Sequence, residues 1–153
     1  KLKMKIKSFT PLIAVFGTSF LITITLLKSF QIFMGISICL LAMLKLMDIE
    51  AFGTSYKKYD LISSKFNGWI YIYPFCELLI GISFLKSSPP SLIIFIALIL
   101  GISGMISVFK AVYLDKLKLN CACIGGYAKT PLGIISFIEN LLMAIMSVLL
   151  LIK

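Results

Sequence analysis

Two cysteines separated by one residue, Cys121 and Cys123, are the strongest candidates for chemistry in this chain. Thiols at that spacing can close a small disulfide ring, or hold a soft metal ion such as Cu(I) or Hg(II) through two thiolates. Gly125 and Gly126 follow, and they let the backbone take unusual angles that leave the sulfurs accessible. Nearby lysines favour the thiolate, which is the reactive form. The spacing alone leaves redox exchange and metal binding both open.

Two carboxylates lie inside apolar stretches, Glu77 in YPFCELLIG and Glu139 in SFIENLLM. A charged group at membrane depth is costly unless it is paired, protonated or hydrated, so each glutamate is a candidate functional residue. Both lie deep in their stretches, where they can share a proton or pair with Lys45 or Lys110, whose long stems reach up from the boundary. A buried ion pair that only fixes helix register explains the two glutamates equally well.

The other sulfur-containing residues are weaker candidates. Cys76 stands beside Glu77, but neighbours on a helix point about 100° apart, so we treat Cys76 only as a secondary partner of the carboxylates. Cys39 is interpreted as an inert apolar residue. Met143 and Met146 form a helical stripe with the second glutamate that can pass Cu(I), yet methionine at this spacing more often packs a core.

The composition predicts an integral membrane protein. The chain has 153 residues, of which 60% are hydrophobic, and its mean hydropathy is +1.08. The net charge of +9 comes from lysine without any arginine, and nucleic-acid binding is excluded because it favours arginine on a soluble scaffold. Without histidine, a Cys/His zinc site is excluded as well. We expect residues 1–153 to form a single membrane domain that needs no cofactor.

Five apolar runs of 17 to 22 residues must position these groups. A helix needs about 20 residues to cross the hydrocarbon layer, so the runs predict an all-α bundle of five transmembrane helices. The runs are residues 11–27, 29–47, 69–85, 92–112 and 131–152. The lysine-rich start resembles a signal peptide, but the first run lacks a small-x-small exit and we expect it to be retained.

Lysine counting predicts the orientation of the bundle. With the N-terminus in the cytoplasm, twelve lysines fall on the inner side and three, Lys28, Lys86 and Lys153, on the outer side. We therefore expect a bacterial cytoplasmic-membrane protein with its C-terminus outside. The Cys-x-Cys segment then faces the cytoplasm.

The linker over residues 48–68 mixes aromatic residues with lysine and aspartate. This pattern favours a short amphipathic helix on the inner membrane surface, with its lysines toward anionic headgroups. A plain solvated loop is the alternative.

Several short motifs occur together in one order. They are FMGI at residues 33–36, KLMD at 45–48, YD at 59–60, YPFCELLIG at 73–81, CACIGG at 121–126, PLG at 131–133 and ENLLM at 139–143. Over these motifs the chain resembles the MauE/DoxX-like redox-associated integral membrane protein family.

The resemblance implies a helical membrane protein connected with thiol–disulfide exchange. It implies Cys121 and Cys123 as the reactive pair, with Glu77 and Glu139 as carboxylates typical of the family. No redox domain precedes the first run, so we expect a separate thioredoxin-like or glutaredoxin-like partner. Cys76 departs from the family pattern, in which an aliphatic residue is expected.

Three hypotheses follow. In the first, Cys121 and Cys123 cycle between dithiol and disulfide, which would make the protein a thiol–disulfide oxidoreductase component. In the second, the same thiols receive copper or mercury, and a soluble metal-binding protein is the partner. In the third, the protein is a non-catalytic subunit of a larger membrane complex. The reducing cytosol disfavours a purely structural disulfide on the inner side.

Overall fold

All regular structure in the described part of the chain is helical. The computed structural model describes residues 2–24, 30–86, 88–116 and 134–152. Within those ranges six helices follow one another and no strand occurs. The predicted all-α class is therefore confirmed. The helices are α1 (Leu2–Ile22), α2 (Phe30–Met47), α3 (Ile49–Tyr56), α4 (Trp69–Phe84), α5 (Ser91–Phe109) and α6 (Ile134–Ile152).

Four predicted runs coincide with α2, α4, α5 and α6 to within three residues at the described ends. The first run does not, because α1 begins at Leu2 and not at residue 11. The preceding lysine, leucine and methionine residues are good helix formers, and they extend the helix back through the charged start.

The C-terminal end of α5 continues into a π-helical turn, Lys110–Leu114. The Asp115 N–H donates to the Lys110 carbonyl there at 2.9 Å.

Two helices are long and apolar enough to cross a membrane by length and composition. They are α2, with 18 residues and a mean hydropathy of 2.0, and α5 with its π turn, with 24 residues and a mean hydropathy of 2.8. The other apolar helical stretches in the described residues, Ile13–Ile22, Trp69–Phe84 and Ser136–Ile152, are shorter than that. The described residues thus show two clear spans, and the predicted five are not confirmed.

The bundle is built from two closely packed helix pairs, α2 with α4 and α5 with α6. In the first pair, a Cβ placed on Gly81 would lie 2.9 Å from the Cys39 backbone nitrogen and 3.0 Å from the Gly35 carbonyl oxygen. In the second, a Cβ on Gly101 would lie 3.0 Å from the Asn140 carbonyl oxygen. Small residues therefore let the backbones approach, as expected of helices packed in a membrane.

Helix α3 closes one end of the bundle. The Asp48 side chain caps it by accepting from the Ala51 N–H at 3.1 Å. Phe52 and Tyr56 are 1% and 6% exposed, and they stack against Tyr73 of α4. A short amphipathic helix on the inner membrane surface was predicted in this linker. The helix is present, but these two rings are buried in the protein because α4 offers an aromatic partner.

Candidate functional site

A buried ion pair lies where α2 meets α4. Lys45 is near the end of α2, and its Nζ donates to Glu77 Oε1 at 2.7 Å and to Oε2 at 2.6 Å. The two side chains are only 4% and 5% exposed. Such an ammonium is held by charge-assisted bonds to both carboxylate oxygens.

A second carboxylate faces the same ammonium from α6. Glu139 Oε1 lies 3.8 Å from Lys45 Nζ, and its side chain is 14% exposed. Lys45 is thus shared by Glu77 and Glu139, which come from different helices. One positive charge meets two carboxyl groups, so the cluster carries one surplus negative charge whenever both are ionised.

Aromatic rings form the wall on the α3 side of the cluster. Lys45 Nζ lies 5.3 Å from the ring centroid of Tyr73 and 6.0 Å from that of Phe52. At these distances the ring faces attract the ammonium. Tyr56 stacks on both rings, with centroids 4.8 Å from each. The aromatic wall therefore helps to stabilise the charged form of Lys45 in the protein interior.

Asp60, in the loop after α3, is fixed beyond this wall. Its Oδ2 accepts from the backbone N–H groups of Ser63 at 2.7 Å and Ile62 at 3.1 Å. Its Oδ1 accepts from the Ser107 hydroxyl of α5 at 3.3 Å, and Ser107 in turn accepts from the Leu61 N–H at 3.3 Å. Asp60 is only 3% exposed, and both of its carboxylate oxygens accept hydrogen bonds.

A cavity of about 20 Å³ joins the two carboxylate regions. That is room for about one water molecule. The polar groups on its surface include those of Lys45, Tyr56, Asp60, Tyr73, Ser107 and Glu139. Glu77 does not line it, because its oxygens are turned to Lys45. Glu139 and Asp60 therefore line the same cavity, and Glu77 does not.

Asn140 positions Glu139 on α6. Its Nδ2 donates to the Ser136 carbonyl at 2.8 Å, and its side chain lies directly over Gly104 of α5. A Cβ at Gly104 would collide with the Asn140 amide. The close approach of α5 and α6 at this point therefore fixes the part of α6 that carries Glu139.

The structure brings together three of the residues predicted from sequence, Lys45, Glu77 and Glu139. Lys110, the other lysine considered as their partner, is exposed on the π turn. Cys76 is half-buried and packs against the core beside Glu77. The thiols of Cys121 and Cys123 lie outside the described residues.

The other sulfur-containing candidates pack the interior. Cys39 lies against Gly81, where its Sγ fills the space that a side chain would need. Met143 and Met146 are 3% and 6% exposed and belong to the main core cluster. Within the described residues no group of three or more His, Cys, Asp or Glu side chains could hold a metal ion.

Sequence reasoning missed Tyr56, Tyr73 and Asp60 as parts of the site. A signal for Tyr73 was present, because it precedes Glu77 by four residues and so lies on the same helix face. Asp60 gave only a weak signal, the YD motif at residues 59–60, which does not show what the aspartate contacts. Only its bond to Ser107, 47 residues away, identifies it.

Tyr56 is expected to make the protein sensitive to alkali. Burial raises the pKa of its phenol well above the ordinary value of 10.0, and the carboxylate of Asp60 adds to this. The unfolded chain loses this proton above about pH 10 while the folded protein keeps it, so stability is unaffected below that pH and falls above it, by up to about 1.4 kcal/mol per pH unit.

The measurement is thermal unfolding in detergent at stepped alkaline pH, comparing the parent protein with Tyr56→Phe. The variant should lose less stability as the pH rises. Tyr71→Phe is the matched control, because this tyrosine is exposed. Equal alkaline slopes in all three proteins would contradict the assignment.

Comparison with known protein families identifies a match over most of the chain. The family model described as Methylamine utilisation protein MauE matches residues 12–153. This range includes all of α2 to α6 and therefore every residue of the cluster described above. No match was found among curated proteins or among solved structures.

Proposed function

The chain belongs to the MauE family of membrane proteins associated with methylamine utilisation, and on that premise we propose that it is a membrane component of thiol–disulfide exchange. Cys121 and Cys123 form the exchanging pair, and a separate thioredoxin-like or glutaredoxin-like protein is the partner. The helices supply the membrane scaffold that carries this pair.

The observation that carries the proposal is where the Cys-x-Cys segment is attached. Ser107 lies near the end of α5 at Phe109, which is followed by the π turn, and Ser136 lies in the first turn of α6; both serines line the polar cavity. Both attachment points therefore lie at the end of the bundle that holds Asp60 and the aromatic wall. At Lys116, the last described residue before the segment, the backbone turns with φ of 49°. A pair of thiols tethered at both sides to a rigid polar end is suited to docking a soluble partner.

The exchange is balanced in electrons and protons. One thiolate of the pair attacks the disulfide of the partner, which gives a mixed disulfide and releases one partner thiol. The second thiolate attacks that mixed disulfide, closes the Cys121–Cys123 bond and releases the other partner thiol. Two electrons and two protons pass from this chain to the partner, and the reverse sequence reduces the pair. No further oxidant or reductant takes part.

The proposal includes five membrane crossings with the N-terminus inside. The two long apolar helices, α2 and α5, support this for the middle of the chain. The lysine asymmetry supports the orientation for the whole chain. Cys121 and Cys123 are then reached from the cytoplasm, where soluble thioredoxin-like proteins are available to supply electrons.

We expect the purified protein to show a reversible two-thiol transition. The protein is equilibrated in buffers of graded dithiothreitol redox potential, trapped with a mass-tagging thiol reagent, and assayed for bound metal on the same sample. The transition should vanish in Cys121→Ser and in Cys123→Ser. Cys39→Ser is the control that should retain it, because Cys39 packs against Gly81 in the helix interior.

Stoichiometric copper or mercury that is lost in Cys121→Ser would instead establish soft-metal handling. A protein without transition or metal would be a subunit of a larger complex, and both results overturn thiol exchange. Labelling of Cys121 by an impermeant reagent added outside intact cells would overturn the orientation.

A further inference from the structure

The cluster around Lys45 contains one more carboxyl group than its ammonium can neutralise. Glu77 takes both short bonds, at 2.6 and 2.7 Å, whereas Glu139 stays 3.8 Å from the ammonium. Asp60, the next acidic group, accepts hydrogen bonds from two backbone amides and a hydroxyl. The uncompensated carboxyl is therefore Glu139.

A buried surplus carboxylate must bind something positive, because an uncompensated charge in the interior is strongly disfavoured. Lys45 stands 3.8 Å from Glu139 and would repel a metal cation placed against that carboxylate. A metal cation also needs several oxygen ligands, for which a cavity of about 20 Å³ has no space beyond one water. A proton needs neither ligands nor space.

We propose that Glu139 is a proton-binding site that exchanges its proton with the loop side of the bundle through the cavity, while the Lys45–Glu77 pair stays ionised and holds it in place. None of the described residues that line the cavity is a cysteine, and the test below does not depend on thiol exchange.

The route for the proton follows the polar lining of the cavity. Glu139 and Asp60 both line it, together with Tyr56 and Ser107, and it has room for about one water. A water there reaches hydroxyl and carboxyl groups that can both donate and accept. Leu61 and Ile62, the two residues after Asp60, are exposed. The loop side of the bundle is therefore the side from which we expect the proton to enter.

The charge on Glu139 is set by groups on every element around it. They are Lys45 from α2, Tyr56 from α3, Tyr59 and Asp60 from the following loop, and Tyr73 and Glu77 from α4. The hydroxyl of Ser107 and the amide of Asn140 on α5 and α6 do not titrate. Only Lys45 among these is a cation, and it is already bonded to Glu77.

The chain offers a direct test because it contains three glutamates, Glu50, Glu77 and Glu139. Protein labelled with ¹³C at the glutamate side-chain carboxyl is reconstituted in lipid nanodiscs, and its three carboxyl signals are followed by NMR as the pH is changed. Glu50→Gln, Glu77→Gln and Glu139→Gln assign the signals. Glu50 is exposed and serves as the internal reference.

We expect the Glu139 signal to shift from the acid to the carboxylate position over a pH range separate from that of Glu50, and to be lost in Glu139→Gln. If Glu139 titrates together with Glu50, the proton site is refuted. A Glu139 signal that moves with Na⁺ or K⁺ at constant pH and ionic strength would refute it in favour of a cation site.

Discussion

Replacing Lys45 with methionine is expected to lower the free energy of unfolding by about 3–5 kcal/mol. The substitution keeps most of the apolar stem but removes the ammonium that is bonded to Glu77, whose side chain is 5% exposed. Glu77 and Glu139 would then face each other without compensation in the interior. Removal of one partner of a buried pair is costly for this reason, even though the intact pair adds little net stability.

The measurement is thermal unfolding in detergent, followed by the fraction that remains monodisperse and by the fluorescence of Trp69, the single tryptophan. A loss of this size lowers Tm by on the order of 10 °C in a chain of this length. Lys58→Met is the matched control, because Lys58 is exposed, and it should change Tm little.

A double variant separates charge from packing in this prediction. In Lys45→Met with Glu77→Met, both members of the bonded pair become apolar, so most of the lost stability should return. If the double variant is as unstable as Lys45→Met alone, the loss comes from packing of the lysine stem, and the electrostatic explanation is wrong.

Gly81→Ala is expected to destabilise the protein by about 1–3 kcal/mol, although only one methyl group is added. The new Cβ would lie 2.6 Å from Cys39 Sγ, 2.9 Å from the Cys39 nitrogen and 3.0 Å from the Gly35 carbonyl oxygen. Two of these three atoms belong to the backbone of α2, which cannot move aside as a side chain can. The helices must separate, and their separation also loosens the Lys45–Glu77 bond.

Gly17→Ala in α1 is the control, because no atom lies within 4 Å of the added methyl group. There the usual preference of helices for alanine should act alone and stabilise by up to about 1 kcal/mol. The two substitutions are chemically identical, and we expect opposite signs in the same unfolding assay. A stabilised Gly81→Ala protein would show that α2 and α4 do not pack as described.

Much of the fold follows from local sequence. The apolar runs locate α2, α4, α5 and α6 closely because hydropathy and run length are properties of each segment by itself. The start of the first helix was predicted at residue 11, but α1 begins at Leu2, because a charged helical start gives no hydropathy signal. The number of membrane crossings was harder to predict from sequence, because only two helices in the described residues are clearly long and apolar enough to span a membrane.

The candidate site was partly accessible from the sequence. A glutamate inside an apolar stretch stands out at once, so Glu77 and Glu139 were identified without a structure. Their partner could have been Lys45 or Lys110, which stand at similar positions near the ends of two apolar runs. The choice requires the rotation of each helix about its axis, and hydropathy leaves that angle open when a helix is apolar on every side.

The sequence alone determined that this protein is an apolar helical chain with two buried carboxylates and a Cys-x-Cys pair. Tertiary structure decided that Lys45 joins the carboxylates, because Gly35 and Gly81 let α2 and α4 meet with that face inward. It also decided that Asp60 shares a cavity with Glu139. Residue types and run lengths are local quantities, whereas a charge bonded across helices depends on distances that exist only after the chain has packed.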